Sequence, residues 1–139
     1  MKPFPRNWKM PSTAKALIDT QIFLWMATTP ERLSPSARAA CESSDLVLSV
    51  ASVWEIAIKH HIGKLPLPTD IRIFLDRQIR FANLTLLPIH YLHTLRAAAL
   101  PGDHKDPFDR LIAAQAVEES LPCITADPQL ATLGVTRIW

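Results

Sequence analysis

Short apolar segments alternate with amphipathic segments along this chain of 139 residues. Residues 16–18 form an apolar run that ends at Asp19, whereas residues 22–26 favour a short helix over further strand. Ser34 followed by Pro35 predicts the start of a second helix, because serine caps helix N-termini and proline fits the first turn. The remaining strand candidates are 46–49, 84–87, 122–125 and 135–139.

Longer helices are predicted between these strands. They span 52–62, 70–81, the stretch from Pro88 to about Leu100, and 106–120, and a short helix starts at Asp127-Pro128. Gly63 is well placed to end the first of them in a left-handed conformation. Because strands and helices alternate, the sequence predicts an α/β fold with a central, mostly parallel sheet between helical layers.

Length and composition indicate one globular domain, which we expect to span residues 16–139. The hydrophobic fraction of 48% with 20% charged residues is typical of such domains, and no apolar run approaches the roughly 18 residues that suggest a membrane span. Cys41 and Cys123 have no partner at zinc-site spacing, so reduced cysteines are expected. No secretory signal is recognisable, and a cytoplasmic protein without membrane attachment is expected.

Positive charge is concentrated at the beginning of the chain. Lys2, Arg6, Lys9 and Lys15 all precede the first acid, Asp19. A basic start could contact nucleic acid, but an extension that precedes the fold explains it more simply. Residues 1–15 are therefore expected to form a flexible N-terminal extension.

Several carboxylates lie where the elements of a parallel sheet meet. Asp19 and Asp127 follow predicted strands, and ligands bind such sheets beyond the carboxyl ends of the strands. Asp106 and Asp109 begin a predicted helix. Each of these four aspartates can also be explained as a helix cap or a first-turn acid. Capping and ligand binding do not exclude each other, because helix N-termini face the same crevice.

Glu55 cannot be a cap, because it lies inside a predicted helix. Its neighbours are apolar: Val53, Trp54, Ile56, Ala57 and Ile58. One interpretation is an ion pair with Lys59, four residues on, along a solvent-facing stripe. The other is an inward-facing ligand, and the residues alone leave both open.

Carboxylates that converge repel one another, which raises their pKa values or favours a divalent cation that keeps them charged. Oxygen ligands favour Mg²⁺ or Mn²⁺, and such an ion suits hydrolysis of a phosphodiester. Structural or surface roles are expected for the histidines, which are His60, His61, His90, His93 and His104. A Gly-rich phosphate loop and a serine nucleophile motif are both lacking, which argues against those enzyme classes.

Four blocks of sequence together resemble the PIN-domain ribonucleases, and within them the VapC-type toxins of bacterial toxin–antitoxin pairs. The blocks are Leu17 to Thr20, Ser52 to Lys59 with Gly63-Lys64-Leu65 after it, His104 to Arg110 followed by residues 111–116, and Ile124 to Asp127. The resemblance covers Leu17 to Trp139 and implies a PIN-like three-layer α/β/α sandwich. Gln21 departs from the pattern, because many relatives have histidine after the Asp-Thr pair.

The resemblance also implies roles for individual residues. Asp19, Glu55, Asp109 and Asp127 would form an acidic cluster that holds Mg²⁺ or Mn²⁺ and activates water in an endoribonuclease. Asp106 would then be mainly a helix cap, and Thr20 and Thr125 would orient neighbouring carboxylates. Arg110 and Lys59 would contact phosphate or compensate charge inside the protein.

Partners follow from the same resemblance. It implies RNA as the substrate and a homodimer as the oligomeric state. It also implies a small antitoxin protein that presents a basic segment to the acidic cluster. Toxin and antitoxin together can form a hetero-oligomer. The alternative is a non-catalytic RNA- or protein-binding module on a PIN-like fold, in which the acids only cap helices and hold structure.

Overall fold

A computed structural model describes residues 14–139, and the expectations for residues 1–13 lie outside this range. Five strands are formed, numbered in chain order: β1 Lys15–Ile18, β2 Asp45–Ser49, β3 Thr85–Leu87, β4 Cys123–Ile124 and β5 Arg137–Ile138. The helices are α1 Thr20–Thr28, α2 Pro35–Ser43, α3 Val50–His61, α4 Ile71–Phe81, α5 Tyr91–Ala99, α6 Pro107–Glu118 and α7 Gln129–Thr132, with a 3₁₀ turn at Pro30–Arg32. The predicted alternation of strands and helices is confirmed.

The strands form one sheet in the order β3-β2-β1-β4-β5, and all four pairings are parallel. Ile18 of β1 is opposite Ile124 of β4, so the residues that follow them, Asp19 and Thr125, emerge side by side. This register brings residues more than 100 positions apart in the chain to the same edge of the sheet.

Side chains alternate between the two faces along each strand; β1 and β2 are buried on both faces, whereas β3 at the edge of the sheet is largely exposed. Ala16 and Ile18 of β1 pack with Phe23 of α1 and Phe74 of α4 on one face. Leu17 lies on the other face with a cluster that includes α6 and the region after α7. Helical layers on both sides of a parallel sheet give the predicted three-layer α/β/α sandwich.

Local signals place several helix ends as predicted. The side chains of Ser34 and Asp106 accept hydrogen bonds from backbone N–H groups in the first turns of α2 and α6. Gly63 follows α3 with φ +79°, the left-handed conformation that glycine adopts without strain. Helix α3 begins two residues earlier than predicted, at Val50, because the Ser49 side chain caps it by accepting from Ala51 N.

Helix α1 belongs mainly to the core. Phe23 is buried, and Leu24 and Trp25 are partly buried against the same cluster. Trp25 also stacks near Trp139, with ring centroids 6.0 Å apart. Core packing therefore accounts for much of the apolar surface of this helix.

Candidate active site

Asp19 lies directly after β1 and caps α1. Its Oδ1 accepts from Ile22 N at 2.8 Å, and its Oδ2 accepts from the Thr125 hydroxyl. Only 9% of Asp19 is exposed, so the carboxylate is both a cap and a buried acid. Thr125 thus orients Asp19 across the β1–β4 pairing, in agreement with the role predicted for this threonine.

Glu55 points inward from the middle of α3 and is 5% exposed. Its Oε1 accepts from the Thr20 hydroxyl at 2.7 Å, and Thr20 is also hydrogen-bonded with Ser52 at 2.9 Å. Its Oε2 lies 2.8 Å from Lys59 Nζ, whose side chain is 49% exposed. Both interpretations of Glu55 are therefore partly right: the acid faces inward, and Lys59 reaches it from the surface.

Asp109 belongs to the first turn of α6, beside the cap residue Asp106. Its Oδ2 lies 2.9 Å from His104 Nε2, and the opposite ring nitrogen of His104 lies 2.8 Å from Gln129 Oε1. His104 therefore joins the loop before α6 to the acidic residues. Sequence reasoning missed this contact, for which the one available signal was the position of His104 just upstream of the helix.

Asp127 follows β4 and precedes α7. Its backbone N–H donates to Thr125 Oγ1 at 3.1 Å, and its Oδ1 accepts from Gln129 N at 2.9 Å. Asp127 therefore bonds to the start of the helix as predicted, but Pro128 and not Asp127 occupies the N-cap position.

The four acids converge on one cleft of about 220 Å³. The residues that line it are Asp19, Thr20, Gln21, Leu24, Glu55, Lys59, Asp106, Asp109 and Asp127. Four separate segments of the chain supply the carboxylates, so only the tertiary fold brings them together.

Negative charge predominates among the side chains that line the cleft. The pKa of Asp19 is raised from 3.8 to about 6, mainly by burial; the charges of Asp109 and Asp127 contribute to the rise, and the hydrogen bonds from Thr125 and Ile22 oppose it. Burial likewise raises the pKa of Asp109, with Asp106 and Glu55 adding to the effect. Hydrogen bonds to carboxylates raise the pKa of both Lys59 and His104.

This donor set fits a divalent cation. Carboxylate oxygens are the ligands that hard cations prefer, and a nearby positive charge would relieve both the desolvation and the mutual repulsion of the acids. His104, Asp109 and Asp127 offer ligand atoms that all lie within 4.8 Å of one another.

Arg110 does not face the cleft as a phosphate contact. Its guanidinium donates to three backbone carbonyls: Ala97 O at 3.1 Å, His104 O at 3.1 Å and Leu100 O at 2.6 Å. These bonds fasten the loop before α6 to the end of α5, so the phosphate role predicted as one option for Arg110 is wrong. The arginine has a structural role instead, because three of its five N–H donors bind backbone carbonyls.

The described residues contain no helix long and apolar enough to cross a membrane.

His93 is completely buried and contacts Glu119 at 2.9 Å, which agrees with the structural role expected for it.

The comparisons with known proteins agree with this fold. The family model for the PIN domain matches residues 16–135, and the chain therefore belongs to the PIN-domain family. It is 29% identical over 116 residues to Ribonuclease VapC22 of Mycobacterium tuberculosis, a match that covers 82% of this chain and 88% of that protein.

Two solved structures illustrate the similarity in fold. The crystal structure of VapBC2 from Rickettsia felis bound to a DNA fragment from their promoter has a TM-score of 0.65 at 14% identity, covering 90% of this chain and 99% of that one. The crystal structure of FitAcB from Neisseria gonorrhoeae has a TM-score of 0.61 at 22% identity, covering 88% and 95%. At these identities the likeness concerns the fold.

Proposed function

We propose that this chain is the toxin of a toxin–antitoxin pair and acts as a divalent-metal-dependent endoribonuclease. The observation that carries the proposal is the convergence of Asp19, Glu55, Asp109 and Asp127 on one cleft of a PIN domain. The similarity to a relative named as a ribonuclease supports RNA as the substrate.

The four carboxylates would hold Mg²⁺ or Mn²⁺ at the cleft. When bound, such an ion lowers the pKa of a water molecule and neutralises charge on the leaving oxygen of a phosphodiester. The Thr20 and Thr125 hydroxyls hold Glu55 and Asp19 in place, so the acids need little rearrangement on binding. Lys59 compensates the charge of Glu55, and its half-exposed side chain can also reach an RNA phosphate.

An assay on RNA tests the activity. The purified chain, freed of any bound antitoxin, is incubated with RNA and Mg²⁺ or Mn²⁺, with and without a chelator. We expect metal-dependent cleavage that is lost in Asp19→Asn and retained in Asp76→Asn, a matched change at an exposed acid of α4. Equal cleavage by the wild type and Asp19→Asn would favour the alternative, a non-catalytic binding module.

The antitoxin is the second part of the proposal. A cleft lined by five carboxylates, those of the four proposed ligands and of Asp106, attracts an antitoxin cation for the same electrostatic reason that it attracts metal. A short reading frame beside this one, encoding a DNA-binding protein with a basic segment, is expected. Co-purification of its product with the chain, and loss of cleavage in that complex, would support the toxin role, whereas a nuclease that its neighbour does not inhibit would contradict it.

Homodimerisation is likewise proposed. Light scattering on the purified chain measures its mass in solution, and the 15.6 kDa of a single chain would contradict it.

A further inference from the structure

His104 lies at the rim of the cleft between two oxygen acceptors. Its Nε2 is 2.9 Å from Asp109 Oδ2 and its Nδ1 is 2.8 Å from Gln129 Oε1. Only 15% of its side chain is exposed, so these contacts rather than water satisfy most of the ring. The ring is thus held in a defined orientation toward the acidic residues.

The contact with Gln129 determines which nitrogen has a free lone pair in the neutral ring. An amide oxygen only accepts hydrogen bonds, so Nδ1 must carry the hydrogen. Nε2 then presents its lone pair to the carboxylate of Asp109, and two acceptors at this distance repel unless something positive lies between them. Either a proton or a metal ion can supply that charge.

The same arrangement is typical of histidines that bind metals. Such a histidine usually donates its second ring N–H to a carbonyl or carboxylate, which fixes the tautomer and the ring orientation. Gln129 provides that acceptor, and its backbone N–H also holds Asp127 Oδ1 at 2.9 Å. Gln129 therefore orients both His104 and Asp127, two side chains that could bind the same metal ion.

The carboxylates differ in how many of their oxygens already accept hydrogen bonds. Asp19 and Glu55 accept hydrogen bonds on both of their oxygens. Among residues 14–139, Asp127 accepts a hydrogen bond on one side-chain oxygen only, from Gln129 N, and the one side-chain contact of Asp109 is that of its Oδ2 with His104 Nε2. Together with His104 they offer ligand atoms within 4.8 Å of one another.

We propose that His104 is itself a metal ligand, with Asp109 and Asp127, and that its nitrogen makes the cleft prefer Mn²⁺ to Mg²⁺. Mg²⁺ favours oxygen ligands almost exclusively, whereas Mn²⁺ binds more tightly than Mg²⁺ to a site that includes an imidazole. This inference rests on the proposed metal site and specifies its ligands and its selectivity.

Pulsed electron paramagnetic resonance tests it without reference to activity. Mn²⁺ is added to the full chain, and modulation from a directly bound ¹⁴N nucleus is measured, with calorimetry giving the dissociation constants for Mn²⁺ and Mg²⁺. We expect nitrogen modulation in the wild type and its loss in His104→Gln. We also expect this change to weaken Mn²⁺ binding by about tenfold or more and to affect Mg²⁺ much less.

His61→Gln is the matched control, because His61 is exposed at the end of α3. It should behave as the wild type, and circular dichroism checks that both variants are folded. The nitrogen signal of the wild type needs no variant at all, so a folding defect in His104→Gln cannot hide the answer.

Bound Mn²⁺ without nitrogen modulation overturns the inference, and so does an absence of Mn²⁺ binding. RNA cleavage without nitrogen modulation would refute the His104 ligand but leave the nuclease intact. Nitrogen modulation in a chain that does not cleave RNA would refute the nuclease but leave the metal ligand intact.

Discussion

The hydroxyl of Thr20 donates to Glu55 Oε1 over 2.7 Å, across 35 positions of the chain. Both residues are buried, with exposures of 8% and 5%. The bond connects the residue after Asp19 to the middle of α3, and so it fixes the position of one acid relative to another. The geometry of the cleft therefore depends on residues that do not themselves need to bind metal.

Removing this hydroxyl should destabilise the protein. In Thr20→Val the side chain keeps its shape, but Glu55 loses a buried donor, and we expect the free energy of unfolding to fall by about 1–3 kcal/mol. Urea denaturation followed by circular dichroism measures it. Thr20→Ser keeps the hydroxyl and is the control; equal losses in both variants would show that the methyl group, not the hydrogen bond, is what matters.

Asp19 should make the stability of the metal-free protein fall as pH rises. Its pKa is raised from 3.8 to about 6 in the folded chain, so the unfolded chain releases this proton first. Asp19 therefore does not lower the free energy of unfolding below about pH 4. The free energy of unfolding falls progressively between pH 4 and 6, and above that range the loss is complete, at most about 3 kcal/mol.

Asp19→Asn removes the charge and should stabilise the fold at pH 7 but not at pH 4. Chemical denaturation at both pH values in the presence of a chelator measures the difference, with Asp76→Asn as the exposed control. A stability gain of the same size at pH 4 and pH 7 would contradict the link to this carboxylate.

Glu55→Gln should weaken divalent-metal binding at least about tenfold. The change removes a charge from the cleft and leaves Lys59, which now donates to Glu55 at 2.8 Å, as an uncompensated cation beside it. Calorimetric titration with Mg²⁺ and Mn²⁺ measures the effect, and Glu42→Gln at an exposed position of α2 is the control. Unchanged affinity for both ions would mean that Glu55 does not belong to the metal-binding cluster of acids.

Arg110→Lys should lower stability because an ammonium group cannot reach three carbonyls as a planar guanidinium does. The loss of two or three partly buried hydrogen bonds is expected to cost about 1–3 kcal/mol. Thermal unfolding measures this, and the salt dependence of RNA binding should stay as in the wild type. A weaker salt dependence with normal stability would return Arg110 to the role of a phosphate contact.

Much of the fold could be predicted because its signals are local. Ser34, Asp70 and Asp106 each cap a helix through a bond to a backbone N–H two or three residues away. The two-residue strands β4 and β5 came out shorter than predicted. Their ends depend on pairing with neighbouring strands rather than on their own residues.

The candidate site was only partly predictable. The four acids could be named because each lies beside a recognisable strand, helix or motif. The contacts of His104 and Arg110 could not be predicted, because their partners lie in other elements: Gln129 is 25 residues from His104, and Ala97 is 13 residues from Arg110.

The sequence by itself determined the order of elements, their caps and the carboxylates available for chemistry, since periodicity and capping act within a few residues. The tertiary structure alone decided which oxygens face one another, which are already hydrogen-bonded and which cations compensate them. Parallel pairing of β1 with β4 places Asp19 beside Thr125, and packing of α3 turns Glu55 inward to Thr20. These contacts depend on distances through space, because desolvation and Coulomb interactions do not follow the order of residues along the chain.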